Sequence, residues 1–381
     1  ELAAATNVGR SHFEYRAAIV ASDRHAAQDS LRSLARGGTD ASIFVGNQRR
    51  APRVAWQFTG QGAQYTGMGR QLYQSQPVFR AAIDHCDQQL RQFREGSLRQ
   101  VLFDDDAEPA AVDNTHWTQP AIFAVQMGLA RLLDSWNIRP DAVVGHSVGQ
   151  YAAACVAGIM SWDDGLRLIA ERGRLIGELP AGGRMLAIFA AEQVIGQIID
   201  GESEVSLAAL NGTHVVISGD EAAIDRIAQV LADRRIRSRK LVTSHAFHSH
   251  LMDPALEPFA RVADGIDFQP PTMPLVCNLT GQVLPANRKL DGNYWAEHIR
   301  QPVQYAPGID ALSGLNCDVL IEVGPQAVLT RMAAANWNRS AETLISCLQK
   351  ESDDNLALAT AIAQMYSQGI TPDFRAMHRH T

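Results

Sequence analysis

The hydrophobic residues of this chain fall into short β-prone runs separated by longer segments with helical spacing. The runs that predict buried strands are Val54–Phe58, Ala142–Val144, Leu275–Asn278, Val319–Val323 and Leu344–Leu348. One of the intervening helices is predicted to begin at Thr118, a candidate N-cap, with Pro120 in its first turn. Because buried strands that alternate with helices are typical of parallel sheets covered on both faces, we predict an α/β fold with a parallel-sheet core.

Residues 182–246 interrupt this alternation with a different order of elements. Strand, helix, strand, strand, helix and strand are predicted at Met185–Phe189, Glu192–Ile199, Val205–Leu210, Val215–Ser218, Glu221–Ala232 and Arg239–Val242. This βαββαβ order is the ferredoxin-like split motif, and its two ends lie close together, which suits an insertion. We therefore predict a large α/β unit of residues 51–181 and 247–350, an inserted ferredoxin-like subdomain of residues 182–246, and a small unit or linker at residues 1–50.

Composition excludes several classes of protein. Of 381 residues, 46% are hydrophobic and 20% are charged, as in ordinary globular domains, and the net charge of −7 leaves no basic footprint for nucleic acid. The longest apolar runs, such as Ala152–Ala157, are too short to span a bilayer. Five dispersed cysteines without a CxxC pair argue against a disulfide framework or a zinc ribbon. Since the chain starts at Glu1 without a signal peptide, we expect a piece of a longer cytoplasmic protein.

The segment Gly145–Gly149 reads G-H-S-V-G and lies between a predicted strand and an alanine-rich helix. In that context GxSxG is a nucleophile elbow, which pushes the Ser147 hydroxyl out at the end of the strand. The backbone N–H of Val148 then lies at the start of the helix, where a developing oxyanion is stabilised. The alternative is a purely structural turn. With the strand, turn and helix all predicted, we interpret Ser147 as a nucleophile, which implies a core similar to that of α/β-hydrolases.

A serine nucleophile needs a base, and the best candidates lie in Ser244–His250. This segment holds His245, His248 and His250, and we expect one of them to be the base. Three close histidines could instead bind a metal, although no HExxH-type helix or added carboxylate accompanies them. A solvated polar loop is the third reading.

A single arginine stands on the apolar face of a predicted helix. Ser161-Trp-Asp-Asp164 resembles a capping box, which predicts a helix at about Trp162–Glu178. On it, Arg172 shares a face with Leu168 and Leu175. A buried guanidinium is costly unless it is paired, so either a buried ion pair or a receptor for a substrate carboxylate is expected there.

The loop Phe58–Gln64 has glycines on both sides of Gln61. They allow the Gln61 backbone to approach a ligand closely. The loop is not a phosphate-binding loop, because no Lys-Ser/Thr pair follows it.

These motifs together resemble the malonyl-CoA:acyl-carrier-protein transacylase family and, more closely, the acyltransferase domain of a modular type I polyketide synthase. The segments that carry the resemblance are Gly60–Gln64, Thr118–Ala121, Gly145–Gly149, Arg172, His245–His248, Gln301–Val303 and Glu322–Pro325. Residues 7–16 look like the end of a ketosynthase-to-acyltransferase linker, and residues 369–374 look like the segment that leaves such a domain. The resemblance thus implies a linker at 1–50 and a post-acyltransferase segment at 351–381.

The resemblance also implies a role for each matching residue. Ser147 matches the acylated serine, His248 the general base, and Arg172 the arginine that holds the free carboxylate of the extender unit. The other implied site residues are the backbone oxyanion donors Gln61 and Val148, the pocket or selectivity residues Gln119, His146, His245 and Phe247, and His298, whose backbone carbonyl would orient the base.

The implied reaction loads a malonyl-type extender unit from malonyl-CoA, through an acyl-serine, onto the phosphopantetheine thiol of an acyl carrier protein in polyketide, antibiotic-type biosynthesis. Expected partners are that carrier and the flanking ketosynthase and other domains of the same synthase. No bound cofactor, metal, nucleic acid or membrane is expected.

Two positions refine the resemblance. The motif His245-Ala-Phe247-His248 resembles domains that load malonyl, whereas Tyr-Ala-Ser-His resembles methylmalonyl loaders. A bulky Phe247 would narrow the space beside the substrate α-carbon, which biases the choice because one methyl discriminates by only about 1–3 kcal/mol. Gln150 departs from the family, which commonly has Glu there; this isosteric change predicts a local hydrogen-bond adjustment.

Two other functions remain as alternatives. An α/β-hydrolase esterase or thioesterase places Asp or Glu between Ser and His, with His near the end of the sheet. Here a ferredoxin-like pattern precedes His248 and a long segment follows it, which disfavours that class. A non-catalytic docking domain is disfavoured because Ser147, His248 and Arg172 are all present.

Overall fold

The structure is a computed structural model, and it describes residues 2–104 and 111–379. Parts of the predicted units lie outside the described residues: Glu1 of the linker, residues 105–110 of the large unit, and residues 380–381 of the tail. Within the described ranges, no helix is both long and apolar enough to cross a membrane.

Strands and helices alternate along most of the chain. In chain order the strands are β1 (Tyr15–Ile19), β2 (Ile43–Asn47), β3 (Val54–Phe58), β4 (Ala142–Gly145), β5 (Arg184–Ile188), β6 (Val205–Leu210), β7 (Val215–Gly219), β8 (Ser238–Lys240), β9 (Leu275–Val276), β10 (Val319–Val323) and β11 (Leu344–Ser346). The helices are α1 (Leu2–Val8), α2 (Arg24–Ala35), α3 (Arg70–Ser75), α4 (Pro77–Leu90), α5 (Leu98–Phe103), α6 (Thr115–Ser135), α7 (Gly149–Val156), α8 (Trp162–Gly177), α9 (Glu192–Ile199), α10 (Glu221–Asp233), α11 (Asp253–Ala263), α12 (Gly292–Arg300), α13 (Tyr305–Gly314), α14 (Leu329–Ala333), α15 (Asp354–Ser367) and α16 (Phe374–Met377).

The large unit is built on a parallel sheet with the strand order β11-β10-β3-β4-β9. Strands β3, β4 and β10 are fully buried because helices cover both faces, which explains why they read as continuous apolar runs. The predicted α/β class with a parallel core is confirmed. The carboxyl ends of these strands form one edge, where open parallel sheets place their sites.

The predicted start of α6 is wrong by one turn. Asn114 is the N-cap, with its Oδ1 accepting from the backbone N–H of His116 at 3.0 Å, and Thr118 lies inside the helix. Pro120 is therefore interior, where it cannot donate to the carbonyl of His116. Arg94 donates to that carbonyl instead, at 2.8 Å, so the proline leaves no buried acceptor unsatisfied.

Helix α8 begins as the sequence predicts. The Ser161 hydroxyl accepts from the backbone N–H of Asp164 at 3.1 Å and donates to its carboxylate at 2.6 Å. The helix packs against α6, which turns the face that carries Arg172 inward.

The small unit forms an antiparallel sheet with the strand order β6-β7-β5-β8. This is the ferredoxin-like order, and the residues that build it have their own hydrophobic core. The end of β6 bonds to the large unit: the backbone N–H of Leu210 donates to the carbonyl of Val303 at 2.9 Å, and the N–H of Val303 donates to Ala208 at 2.9 Å. This link fixes the segment that follows α12 beside the small unit.

The antiparallel strand pair β1–β2, which is connected through α2, packs on α15, and its neighbouring residues join the C-terminal segment. The ring of His12 bonds to the Tyr366 hydroxyl at 2.8 Å and stacks on Phe374. The two ends of the described chain therefore lie together on the large unit.

Candidate active site

Ser147 lies in a sharp turn between β4 and α7, at the carboxyl edge of the parallel sheet. Its φ of 49° falls in the left-handed region, which residues other than glycine rarely adopt. A Cβ on Gly149 would overlap the carbonyl oxygen of Phe58, and one on Gly145 would overlap the backbone of Gln150. Glycine is required at both positions for the turn to pack so tightly, as expected of a nucleophile elbow.

The Ser147 hydroxyl is paired with one histidine of the predicted segment. The distance from Ser147 Oγ to His248 Nε2 is 2.8 Å, and His248 Nδ1 lies 2.8 Å from the backbone carbonyl of Gln301. Since a carbonyl can only accept, Nδ1 carries the proton and Nε2 is free to accept from the serine. This is the tautomer that a general base needs.

The prediction that the carbonyl of His298 orients the base is wrong, because the carbonyl of Gln301 does so. His298 is inside α12, whereas Gln301 is its C-cap with an extended ψ of 157°, so its carbonyl leaves the helix axis and turns towards His248. The bonds of Val303 to the end of β6 hold this turn in place.

Burial and the nearby charge of Arg172 lower the pKa of His248 to about 3, against the opposing effect of the Gln301 hydrogen bond. The imidazole is therefore neutral at physiological pH. A neutral base that is already hydrogen-bonded to its serine is ready to accept the proton.

We expect the rate of Ser147 acylation to stay nearly constant from pH 8 to pH 5. For a base with the ordinary histidine pKa of about 6.5, the fraction in the neutral form would fall roughly thirtyfold over that range. The measurement is kcat/KM for acylation by stopped flow across this pH range. A thirtyfold fall centred near pH 6.5 would contradict the lowered pKa.

The lowered pKa of His248 also predicts how the stability of the folded protein changes with pH. The folded pKa of His248 is below the unfolded value, so the unfolded chain binds the extra proton as the pH falls from about 6.5 towards 3. The stabilisation from neutral His248 is present above that window and is lost within it. Urea unfolding of His248→Gln should therefore show a weaker fall in stability between pH 7 and pH 4 than the wild type.

The other two histidines of the segment have separate partners. His245 Nδ1 lies 3.0 Å from the Ser244 hydroxyl, and His250 Nε2 lies 3.6 Å from the Asp220 carboxylate. In residues 2–104 and 111–379, no group of three or more His, Cys, Asp or Glu side chains is arranged to hold a metal ion.

Arg172 is 1% exposed and forms no ion pair with a carboxylate within the described part of the chain. Its Nη1 donates to Gln119 Oε1 at 2.8 Å, and its guanidinium carbon lies 5.9 Å from the centre of the Tyr151 ring. Nε and Nη2 make no hydrogen bond of normal geometry, with Tyr151 or with any other described residue. Burial lowers the pKa of the guanidinium but leaves it charged at any physiological pH. The alternative prediction that Arg172 forms a buried ion pair is therefore wrong. Its Nε and Nη2 remain as buried donors for an anionic ligand.

Gln119 links the arginine to the glycine loop. Its Nε2 lies 3.4 Å from Gln61 Oε1, so hydrogen bonds connect Arg172, Gln119 and Gln61 in series. Gly62 in this loop has a φ of 100°. Val148, at the N-cap of α7, stands where backbone N–H groups lack intrahelical partners.

His245, a predicted pocket residue, is held by a series of polar contacts, and Phe247, a second one, packs against it. Thr115, Ser244 and His245 are linked at 2.6 and 3.0 Å, and His245 Nε2 lies 3.4 Å from the carbonyl of Leu179. Phe247 is buried and contacts His245 edge-on, with ring centres 6.1 Å apart. This series of hydrogen bonds holds the His245 ring between the start of α6 and the end of α8.

His146, next to the nucleophile, reaches the small unit. Its Nε2 lies 2.9 Å from Asn211 Oδ1, and the Asn211 amide lies 3.0 Å from His214 Nε2. Burial lowers the pKa of His146, so it is neutral and fixes the elbow against the inserted subdomain.

Sequence reasoning missed two residues of the site, Asn278 and Gln301. Asn278 accepts from the backbone N–H of Ser147 at 2.9 Å. The available signal was its place at the end of a predicted buried strand, at the edge where parallel sheets place their sites. Gln301 stood in a recognised motif, but only the path of the chain after α12 shows its carbonyl facing His248.

Comparisons with known proteins identify the family of the chain. The profile of the acyl transferase domain family matches residues 55–372. The chain is 39% identical over 372 residues to the phenolphthiocerol synthesis polyketide synthase type I Pks15/1 of Mycobacterium marinum, covering 97% of this chain and 17% of that protein. It is 38% identical over 381 residues to polyketide synthase GfsA of Streptomyces halstedii, covering 96% of this chain and 5% of that protein. The chain therefore spans less than a fifth of the length of these curated relatives.

A solved structure is similar over nearly the whole chain. The acyltransferase domain from the second module of the salinomycin polyketide synthase superposes with a TM-score of 0.88 at 38% identity. The match covers 99% of this chain and 88% of that one.

Proposed function

The chain belongs to the acyl transferase domain family, and we propose that it transfers a malonyl-type extender unit from malonyl-CoA to an acyl carrier protein. The transfer runs through an acyl-Ser147 and ends on the phosphopantetheine thiol of the carrier. The carrier and the flanking ketosynthase and other domains of the same synthase are the proposed partners.

One observation carries the substrate assignment: the buried guanidinium of Arg172 with two unused donors beside the serine–histidine pair. Malonyl differs from acetyl by a free carboxylate. A planar guanidinium binds a carboxylate with two parallel hydrogen bonds, which gives both affinity and orientation. An uncharged acyl group would leave the buried charge unpaired.

The first half of the reaction acylates the enzyme. His248 Nε2 takes the proton of the Ser147 hydroxyl as Oγ attacks the thioester carbonyl of malonyl-CoA. The backbone N–H groups of Gln61 and Val148 stabilise the oxyanion of the tetrahedral intermediate. The carbon–sulfur bond then breaks, and protonated His248 returns the proton to the departing CoA thiolate.

The second half reverses these steps with a different thiol. His248 removes the proton of the phosphopantetheine thiol, whose sulfur attacks the acyl-serine carbonyl. The intermediate collapses with release of Ser147, which regains its proton from His248. Arg172 holds the malonyl carboxylate throughout, so the acyl group keeps its orientation between the two half-reactions.

Intact mass spectrometry with a panel of acyl-CoA esters tests this function. Malonyl-CoA should add one malonyl group to Ser147, and a phosphopantetheinylated carrier should remove it. An esterase would instead release free malonate rapidly without a carrier, so a burst of acyl-enzyme followed by slow hydrolysis separates the two classes. An unmodified Ser147 after exposure to malonyl-CoA would reject the proposal.

An exposed basic strip on the small unit supports an anionic partner. Arg234, Arg235, Arg237 and Arg239 are exposed and form no ion pair with any carboxylate in the described ranges. Burial and, less strongly, the nearby charge of Arg239 lower the pKa of His214, whose Nε2 lies 3.0 Å from the amide of Asn211. Asn211 in turn bonds to His146, so this end of the strip is linked to the elbow. Such a field favours the approach of an acidic carrier.

We expect malonyl-CoA to be loaded about tenfold or more faster than methylmalonyl-CoA, the scale for excluding one methyl. The double variant His245→Tyr, Phe247→Ser should narrow the ratio without reversing it, because Val148 and Gln119 also shape the pocket. Competition between the two esters, read by the mass of acyl-Ser147, measures the ratio.

The same substitutions at exposed positions, His25→Tyr with Phe93→Ser, provide the control. A wild-type domain that loads both esters equally would overturn the specificity while leaving the mechanism intact. An unchanged ratio in the double variant would show that Phe247 only packs beneath the loop.

A further inference from the structure

Ser147 has a backbone conformation that its own residue type disfavours. Its φ of 49° is uncommon for a residue with a Cβ. Such a conformation persists only where surrounding contacts over-determine it. The residues that hold this turn therefore decide where Ser147 Oγ lies relative to His248 Nε2.

Asn278 supplies these contacts from the loop that follows β9. Its Oδ1 accepts from the backbone N–H of Ser147 at 2.9 Å, and its Nδ2 donates to the backbone carbonyl of Gly145. These hydrogen bonds lie on both sides of His146, so one side chain ties the entrance of the elbow to the nucleophile. Asn278 is 2% exposed, and solvent therefore does not compete for these bonds.

Two further side chains hold the Asn278 amide. Gln150 Oε1 accepts from Asn278 Nδ2 at 3.1 Å and from the backbone N–H of Gly145 at 3.1 Å, while its Nε2 donates to the carbonyl of Val276 at 3.0 Å. His298 Nε2 lies 3.3 Å from Asn278 Oδ1. Burial lowers the pKa of His298 well below the ordinary value, so it is neutral and donates one hydrogen bond.

From these contacts we propose that Asn278 is a positioning residue, which holds the strained backbone of Ser147 in the geometry for attack. Its side chain forms no hydrogen bond with Ser147 Oγ or His248, and it acts through the peptide groups of the elbow. Gln150 takes part as its support: an amide both accepts from Gly145 and donates to Val276, which an ionised glutamate cannot do. The inference rests on the proposed function only for its acylation readout.

The test compares the nucleophilicity of Ser147 in Asn278→Ala and the wild type with two probes. A fluorophosphonate labels an activated serine and needs no acyl donor, while malonyl-CoA reads the proposed reaction. Both rates should fall about a hundredfold, the loss expected for a nucleophile displaced by about 1 Å. The KM for malonyl-CoA should stay unchanged, because Asn278 does not touch Arg172 or Gln119. The pH profile should also stay unchanged, because Asn278 does not touch the base.

Asn278→Asp is the second variant. It keeps an acceptor for the Ser147 N–H but loses the donor to Gly145, so an intermediate rate is expected. Asn355→Ala is the matched control, since Asn355 also accepts a hydrogen bond, from Ser75, on the distant helix α15. This control should label at the wild-type rate.

Labelling of folded Asn278→Ala at the wild-type rate would overturn the inference, as would a shifted pH profile. If that variant does not fold, wild-type labelling of Asn278→Asp overturns it and slowed labelling supports it. If wild-type Ser147 reacts with the fluorophosphonate but not with malonyl-CoA, the proposed function fails, and the labelling rates alone still decide the role of Asn278.

Discussion

Replacement of Ser147 by alanine is expected to abolish acyl-enzyme formation, and His248→Ala is expected to slow it by more than about a thousandfold. The two side chains lie 2.8 Å apart and act as one unit, so the loss of either removes most of the chemical activation. The residual rate of His248→Ala would reflect binding and oxyanion stabilisation alone. Intact mass after exposure to malonyl-CoA measures both variants.

Ser135→Ala, at the end of α6, is the control for the serine, since its hydroxyl donates to the backbone carbonyl of Leu132 and not to a histidine. His250→Ala is the control for the base, because this ring faces Asp220 rather than the nucleophile. Both controls should acylate normally. Labelling that persists on Ser147→Ala would place the nucleophile at another residue.

Arg172→Ala is expected to lose malonyl loading and to gain acetyl loading relative to malonyl. Removing a charge-assisted pair costs on the order of 2–5 kcal/mol, partly because the partner charge is left unpaired in a buried site. Acetyl has no carboxylate and escapes this loss. The ratio of malonyl to acetyl on Ser147, measured by mass after competition between the two CoA esters, should therefore fall steeply.

Arg172→Lys keeps the charge but loses the planar fork, so it should recover only part of the malonyl preference. Arg174→Ala, on the same helix, removes a partly exposed arginine that pairs with Glu171 and Glu178 and should leave the ratio unchanged. A malonyl preference that survives in Arg172→Ala would mean that the carboxylate is held elsewhere.

Most of the fold and the motifs of the candidate site could be predicted from the sequence because the deciding signals are local. Buried parallel strands are continuous apolar runs, the small unit has a distinctive order of elements, and the elbow requires its two glycines. The capping box of Ser161 with Asp164 predicted the start of α8. Helical spacing along α8 then put Arg172 on its apolar face. The resemblance to polyketide synthase acyltransferase domains, which these motifs carry, is confirmed by the family match.

Other features could not be predicted, because they depend on how distant segments meet. Thr118 has the chemistry of an N-cap, but α6 begins earlier because Asn114 is free to cap it and Arg94, remote in sequence, satisfies the carbonyl that Pro120 cannot serve. No local sequence pattern indicates that Arg94 takes the place of the missing N–H of Pro120.

The sequence by itself located the elbow of Ser147, the histidine segment Ser244–His250 and Arg172 on an apolar helix face, because glycine geometry, residue chemistry and helical spacing restrict them locally. Only the tertiary structure decided which groups orient them. Gln301 and not His298 orients the ring of His248. The chain leaves the helical conformation at Gln301, and the carbonyl of that residue can therefore turn towards His248. The tertiary structure also brought Asn278 to the backbone of Ser147, because β4 and β9 are neighbours in the sheet although they are far apart in the chain. Hydrogen bonds between elements depend on strand order and helix ends, and these are settled by packing of the whole fold.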